Sequence, residues 1–194
     1  MGSRIYIVLN RTTVTFRKLV IWQKEWKGVA KFMIEDVNEI NREEFVRKFG
    51  WVFEHSPWVA SLAWESMPFT SQEDLLQKMI NIVQNAEESK QLALLRAHPD
   101  LGTRLQMSEL SQKEQAGVGL DKLTKEEFAE CVSLNKRYVT KFNFPFIMAV
   151  KGQNKESILL AMKQRVHNAY EEEYRIALQE VYKIAGFRLN DIFK

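Results

Sequence analysis

The chain has 194 residues, of which 45% are hydrophobic and 27% are charged, with eight glycines and four prolines. These values are typical of a globular domain and exclude collagen-like, low-complexity and disordered chains. No apolar run approaches the roughly 18 residues that a membrane-spanning helix needs. The single cysteine, Cys131, cannot form an internal disulfide, and no Cys-x-x-Cys pair is present for zinc or redox chemistry. We therefore expect a reducing compartment, the cytoplasm.

The net charge of +3 is unevenly distributed along the chain. Residues 1–32 contain seven basic residues and one acidic residue, whereas residues 33–194 contain 21 basic and 24 acidic residues. Because the larger part has no excess positive charge for a phosphate backbone, nucleic-acid binding is disfavoured. The sequence predicts a basic leader over 1–32 and one folded domain over 33–194.

The leader is open to several interpretations. It is acid-poor and carries Trp22 and Trp26 four residues apart, which fits a transit peptide or a helix lying on a membrane surface. An extra helix packed on the domain, or an extension upstream of a start at Met33, explains it equally simply. Neither chemistry nor a membrane partner is expected of it.

The first predicted helices follow Met33. Asn41 and Glu44 form a capping pair for a helix that Gly50 ends. Ser56-Pro57 begins the next helix, because proline is favoured at the first helical position.

The middle of the chain continues the helical pattern. Ser71 caps a third helix, and a fourth must end near His98, because Pro99 disfavours the α conformation in the residue before it. Ser111 and Glu114 form a capping box for a short helix before Gly117.

The last part of the chain is helical as well. Thr124 and Glu127 cap a helix from about Lys125 to Phe142, and residues 155–184 indicate one long or one kinked helix. A final turn is expected to end at 191–192. With no strand–helix alternation and no repeat, the predicted fold is all-α, a single multihelical domain.

His98 is the first candidate for chemistry. It lies at a predicted helix end, and an imidazole there can exchange a proton near pH 7. A structural histidine bonded to a carbonyl group is the alternative. No pair among the three histidines has metal-ligand spacing, so no metal site is expected.

Two further segments combine structural and ligand-binding features. The free N–H groups at the start of the predicted helix after Ser111 suit an anion, and Glu114 and Gln115 lie close enough to orient a polar ligand. A capping box alone explains the same residues. The apolar run 142–152 is broken by Pro145, and its backbone groups need partners that a ligand could supply if the segment is buried.

Arg165 lies on an apolar stripe if residues 155–184 form one helix, since Ile158, Met162 and Ala169 fall within about 40° of it at 100° per residue. A guanidinium in that position is costly unless it meets an anion. The anion could be a ligand, or a buried Asp or Glu of the protein itself.

Several motifs in order resemble one family, the cofactor-free OHCU decarboxylases of urate breakdown, where OHCU is 2-oxo-4-hydroxy-4-carboxy-5-ureidoimidazoline. They include the stretches RAHPDLG, SQKEQAGVGL and LNKRYVTKFNFPFIMAVKG, the R-x-x-N-x-x-x-E pattern of Arg165, Asn168 and Glu172, FVRKFGWVFEHSPWVA and KIAGFRLNDI. The resemblance covers residues 33–192 and is greatest to the bacterial form that can be fused to a urate oxidase domain. The leader has no counterpart in it.

The resemblance implies a homodimer that converts OHCU to (S)-allantoin without metal or organic cofactor. It implies catalytic roles for His98, as the proton donor, for Glu114 and for Arg165. It also implies substrate contacts for Pro99, Ser111, Gln112, Lys113, Glu114, Gln115, Phe146, Ile147, Met148, Ala149 and Val150. A non-catalytic helical interaction domain and a membrane-associated protein anchored by the leader are the competing hypotheses.

Overall fold

A computed structural model describes residues 32–99 and 123–193. The described residues from Met33 onward belong to one compact unit. The predicted short helix after Ser111, and with it Ser111, Gln112, Lys113, Glu114 and Gln115, lies outside the described residues. The leader prediction lies outside them too.

The first three helices are α1 (Ile34–Glu39), α2 (Arg42–Phe49) and α3 (Pro57–Trp64). The Asn41 side chain accepts a hydrogen bond from the Glu44 N–H at 3.0 Å, as the capping pair predicts. The α2 helix ends at Gly50 and α3 begins at Pro57, so both predicted boundaries are confirmed.

The next two helices are α4 (Gln72–Gln84) and α5 (Glu88–Ala97). The Ser71 hydroxyl accepts a hydrogen bond from the Asp74 N–H at 3.1 Å and caps α4. The α5 helix ends with His98 in an extended conformation (φ −73°, ψ 139°), which is the conformation that Pro99 favours in the preceding residue.

The α6 helix spans Lys125–Phe142, as predicted, and both bonds of its capping box are present. The Thr124 hydroxyl accepts from the Glu127 N–H at 3.1 Å, and the Glu127 carboxylate accepts from the Thr124 N–H at 2.8 Å. Asn143 then turns the chain in a left-handed conformation (φ 60°) into the non-helical run 144–150.

The prediction of one long or kinked helix over 155–184 is wrong. Two helices occupy this region, α7 (Lys155–Arg165) and α8 (Tyr170–Ile192). Lys141 of α6 donates hydrogen bonds to the carbonyl oxygens of Val166 (3.0 Å) and Asn168 (2.7 Å). These carbonyl oxygens therefore do not need the N–H groups of a further helical turn as donors. Ala169 is extended (ψ 153°), which interrupts the helix, and α8 starts after it.

The helices pack around an apolar core rich in aromatic rings. The α8 helix contacts α4, α5 and α6. The Tyr138 ring lies 4.6 Å from the ring of Phe142 and 5.3 Å from the ring of Phe146, between ring centroids, so the run after α6 is part of the core. Residues 32–99 and 123–193 contain helices and no strands, which confirms the all-α fold. Over these ranges no helix is long and apolar enough to cross a membrane.

Candidate active site

His98 is a buried imidazole held at one ring nitrogen. It is 7% exposed, and its Nδ1 lies 2.9 Å from the carbonyl oxygen of Leu94, one turn earlier in α5. A carbonyl oxygen can only accept, so Nδ1 carries the proton and the neutral ring presents an unprotonated Nε2. Within the described ranges Nε2 has no hydrogen-bond partner.

The environment of His98 keeps the ring neutral. Burial lowers its pKa from 6.5 to about 4, opposed by the hydrogen bond to Leu94 and by the negative charge of Glu54. Arg188 and His55 add smaller effects that lower it further. At neutral pH, His98 is therefore a base at Nε2.

A buried ion pair acts electrostatically on this imidazole. The Glu54 carboxylate and the Arg188 guanidinium are 2.8 Å apart, and both side chains are 3% exposed. Glu54 belongs to the turn between α2 and α3, and Arg188 to the last two turns of α8. Chain segments far apart in sequence thus supply charges that act on His98.

Arg165 has the buried acidic partner that the sequence left as one of two possibilities. Its Nε and one terminal nitrogen donate to Glu173 Oε1 at 2.9 and 2.6 Å, and its other terminal nitrogen donates to the Ile147 carbonyl oxygen at 2.9 Å. The guanidinium carbon lies 4.4 Å from the centre of the Phe146 ring. Because α7 ends at Arg165, Ala169 is not on the same helix and the helical spacing that related it to Arg165 does not apply. The predicted apolar stripe therefore stops at Met162.

Glu173 is fully buried and accepts hydrogen bonds from further side chains. It accepts hydrogen bonds from the Tyr138 hydroxyl and, at 2.7 Å, from the Asn168 side chain. Burial, followed by the contact with Glu173, raises the pKa of Tyr138. Glu172, which the motif pattern paired with Arg165 and Asn168, is exposed, and its neighbour Glu173 takes that place.

The run Phe146–Val150 is largely buried, as predicted, with Met148 partly exposed. Its Ile147 carbonyl oxygen binds Arg165, and its Ala149 N–H donates to Glu180 of α8 at 2.8 Å. Two of the backbone groups expected to contact a ligand are thus bound to the protein itself.

The structure brings Arg165 together with Phe146 and Ile147, and the charged or titratable groups that act on His98 are Glu54, His55 and Arg188. Glu173 and Arg188, the α8 residues of the two groups, are 15 residues apart, or about 22 Å along a helix axis. Among residues 32–99 and 123–193, no three His, Cys, Asp or Glu side chains are grouped so that they could hold a metal ion. The roles of the predicted site residues remain predictions.

Sequence analysis missed Glu54, Arg188 and Glu173. Glu54 lies in the FEHSP stretch just before a helix start, and a charged residue there is ordinary. Arg188 stood in an apolar sequence, GFRL, which is the same kind of signal that singled out Arg165 and could have found it.

Comparisons with known proteins agree with this architecture. Residues 38–190 match the family model described as OHCU decarboxylase. The chain is 45% identical over 164 residues to the 2-oxo-4-hydroxy-4-carboxy-5-ureidoimidazoline decarboxylase of Halalkalicoccus jeotgali, covering 84% of this chain and 93% of that one. It is 42% identical over 161 residues to the uric acid degradation bifunctional protein of a Bacillus species, covering 83% of this chain and 32% of the relative.

A solved structure shares the fold. The crystal structure of an (S)-allantoin synthase superposes with a TM-score of 0.69 at 30% identity, over 84% of this chain and 54% of the other. A family model that spans most of the chain, near-complete coverage of a relative and a common fold lead to one assignment: the chain belongs to the OHCU decarboxylase family.

Proposed function

We propose that this protein decarboxylates OHCU to (S)-allantoin in urate degradation and that His98 moves the proton in this reaction. The family assignment and the relatives' names support the substrate and the product. The observation that carries the role of His98 is its buried, neutral ring with Nε2 unprotonated and unpartnered in the described part of the chain.

The substrate can itself accept the electron pair that decarboxylation releases. Its carboxylate is on a ring carbon that also bears a hydroxyl group and adjoins a C=N bond. When the bond to the carboxylate breaks, carbon dioxide leaves, the electron pair forms a C=C bond, and the C=N pair moves to the ring nitrogen, which takes up a proton. The hydroxyl proton must then leave its oxygen, and the carbon bearing the ureido group must gain a proton. The net reaction consumes one proton and needs no external electron acceptor.

A neutral His98 fits the proton transfers that follow the loss of carbon dioxide, because it can act first as a base and then as an acid. Nε2 accepts the hydroxyl proton, and the imidazolium so formed delivers a proton to the neighbouring carbon. The proton-donor role implied by the family resemblance thus requires a first step in which His98 gains the proton. Because the ring is held at Nδ1 by Leu94, delivery from Nε2 reaches one face of the intermediate and favours one enantiomer.

Arg165 acts in this proposal as a hydrogen-bond donor whose positive charge is balanced by Glu173. Glu173 neutralises the guanidinium and fixes its plane beside Phe146. A neutralised pair does not hold the substrate carboxylate strongly, which avoids stabilising the ground state at the expense of the transition state. Glu114, Ser111, Gln112, Lys113 and Gln115 enter only through the family resemblance.

The test is a coupled assay. Urate oxidase and hydroxyisourate hydrolase generate OHCU, this protein is added, and allantoin formation is followed by circular dichroism. We expect rapid appearance of the (S)-allantoin signal, whereas spontaneous decay gives a racemate with none. Decay of OHCU at the spontaneous rate in the presence of folded protein would refute the proposed function.

We also propose a homodimer in the cytoplasm, with a urate oxidase domain as a partner in the same polypeptide. The family resemblance supports the dimer, and the bifunctional Bacillus relative, of which this chain spans about a third, supports the fusion. The single cysteine fits a reducing compartment. Light scattering coupled to gel filtration, showing twice the 22.8 kDa chain mass, tests the dimer.

A further inference from the structure

The buried carboxylate of Glu173 is held at both of its oxygens. Its Oε1 accepts hydrogen bonds from the Tyr138 hydroxyl and, at 2.9 and 2.6 Å, from two nitrogens of Arg165. Its Oε2 accepts from the Asn168 side chain at 2.7 Å. The last torsion of a glutamate side chain has only broad preferences of its own, so the donors at its two oxygens decide its orientation.

The Tyr138 hydroxyl is a fixed donor, because its ring is packed between other rings. The residue is 1% exposed, and its ring lies edge-on to those of Phe144 (5.9 Å between centroids) and Phe146 (5.3 Å). The Arg165 guanidinium lies 4.4 Å from the centre of the same Phe146 ring. Tyr138 therefore constrains Arg165 by two routes, through the Glu173 carboxylate and through the Phe146 ring.

The Asn168 side chain is fixed by the backbone that carries it. The Asn168 N–H donates to the carbonyl oxygen of Arg165 at 3.1 Å, and the Asn168 carbonyl oxygen accepts from the Lys141 ammonium at 2.7 Å. Lys141 follows Tyr138 by three residues on α6, so the two side chains leave neighbouring positions of one helix. The α6 helix thus supplies one donor to Glu173 directly and supports the other through Lys141.

Within this cluster a ligand can reach the guanidinium but not the carboxylate. The Arg165 side chain is 12% exposed, whereas that of Glu173 is 0% exposed. The third guanidinium nitrogen donates to the carbonyl oxygen of Ile147 at 2.9 Å. Because a guanidinium is a rigid plane with its N–H groups in a fixed fork, bonds at all three nitrogens determine how it faces a ligand.

We propose that Tyr138 and Asn168 are positioning residues for Arg165: they hold the Glu173 carboxylate, which in turn holds the guanidinium in the orientation that meets the substrate. The catalytic consequence rests on the proposed function, in which Arg165 is a hydrogen-bond donor to OHCU. The orientation of Arg165 is a property of the ligand-free protein and can be tested separately. A small misplacement of a group that must be aligned with the substrate lowers the rate even when that group is still present.

The competing explanation is that the Tyr138 hydroxyl only satisfies a buried carboxylate and stabilises the fold. Tyr138→Phe removes the hydroxyl and keeps the ring, so the packing against Phe144 and Phe146 is retained. Tyr174→Phe is the matched control. The Tyr174 hydroxyl also donates to a side-chain oxygen, that of Gln91 at 2.9 Å, and its ring also lies against Phe144, at 6.1 Å between centroids.

The first readout is hydrogen exchange of the Arg165 Nε–H with water in the ligand-free chain. It is followed by NMR on protein with isotope-labelled arginine, and the resonance is assigned with Arg165→Lys. We expect Tyr138→Phe to accelerate this exchange about tenfold, the factor that corresponds to the loss of one hydrogen bond to a charged group. Tyr174→Phe should leave the exchange rate unchanged. A hydroxyl that only stabilised the fold would not affect Arg165 more than the control does.

The second readout is turnover of OHCU. We expect Tyr138→Phe to lower kcat by on the order of 10–10²-fold, as for other misplaced groups. KM should change less than kcat, because an arginine already balanced by Glu173 adds little to ground-state binding. Tyr174→Phe should keep the kcat of the unchanged protein. If Tyr138→Phe does not fold, Asn168→Ala takes its place, since Asn168 lies between helices at a half-buried position, and the same two effects are expected.

Two results would overturn the proposal. One is an Arg165 Nε–H that exchanges in the folded variant at the rate of the unchanged protein, and the other is an unchanged kcat in that variant. If the unchanged protein does not accelerate OHCU decay, the proposed function fails, and the exchange measurement still decides whether Tyr138 and Asn168 hold Arg165 in place.

Discussion

The neutral, buried state of His98 has a consequence for stability in acid. The unfolded chain binds a proton at this residue near pH 6.5, whereas the folded chain binds it only near pH 4. Between these values the unfolded state holds more protons, so the free energy of unfolding falls as the pH falls from 6.5 to 4. At 1.36 kcal/mol per pKa unit, the loss from this residue amounts to about 3 kcal/mol, which is a large part of the stability of an ordinary domain.

The assay is urea unfolding, followed by far-UV circular dichroism, at a series of pH values between 7.5 and about 4.5. His98→Asn provides the comparison, because the asparagine amide can donate to the Leu94 carbonyl oxygen in place of Nδ1 and cannot titrate. We expect the decline in stability over this range to be smaller in His98→Asn by about 2–3 kcal/mol. His167→Asn, at an exposed position, should retain the decline of the unchanged protein. Parallel stability curves for His98→Asn and the unchanged chain would show that His98 is not held neutral by burial.

Three other outcomes are expected. His98→Asn should lower kcat for OHCU by roughly 10²–10⁴-fold, the usual contribution of a general acid–base, and near-normal turnover would remove His98 from the mechanism. Glu173→Gln leaves the Arg165 charge, whose side chain is only 12% exposed, uncompensated and should destabilise the chain by about 3–5 kcal/mol in urea unfolding, whereas Glu172→Gln, one residue earlier and exposed, should change stability little. Treatment with a chelator should leave the rate and the (S)-allantoin dichroism unchanged, and activity that is lost and then restored by a metal would contradict cofactor independence.

The parts of the fold that were predicted correctly depend on neighbours in sequence. The N-terminal boundaries of α2, α3 and α6 are set by Asn41, Pro57 and Thr124, whose side chains or rings act within one turn. The break between α7 and α8 depends on Lys141, which lies 25 residues before the carbonyl group that it binds at Val166. No local pattern reports such a contact, so the periodicity suggested one long or one kinked helix.

The residues of the candidate site divide in the same way, into those with a local sequence signal and those that only tertiary contacts reveal. His98 was found because Pro99 imposes a local constraint, and Arg165 because of its apolar neighbours. The choice between Glu172 and Glu173 depends on the helical phase of α8, which the break after Arg165 resets. The pairing of Glu54 with Arg188 joins positions 134 residues apart, and only the tertiary fold reveals it.

The continuous α8 helix limits how this domain can vary in length. It carries Glu173, Glu180 and Arg188, which bind three different segments of the chain. One residue inserted between Glu173 and Glu180 would turn everything after it by about 100° and advance it by about 1.5 Å. Arg188 would then no longer reach Glu54, whereas Glu173 would still bind Arg165. Natural insertions and deletions should therefore be excluded from this stretch and be confined to the loops between helices, where a change in length does not rotate one set of contacts against another.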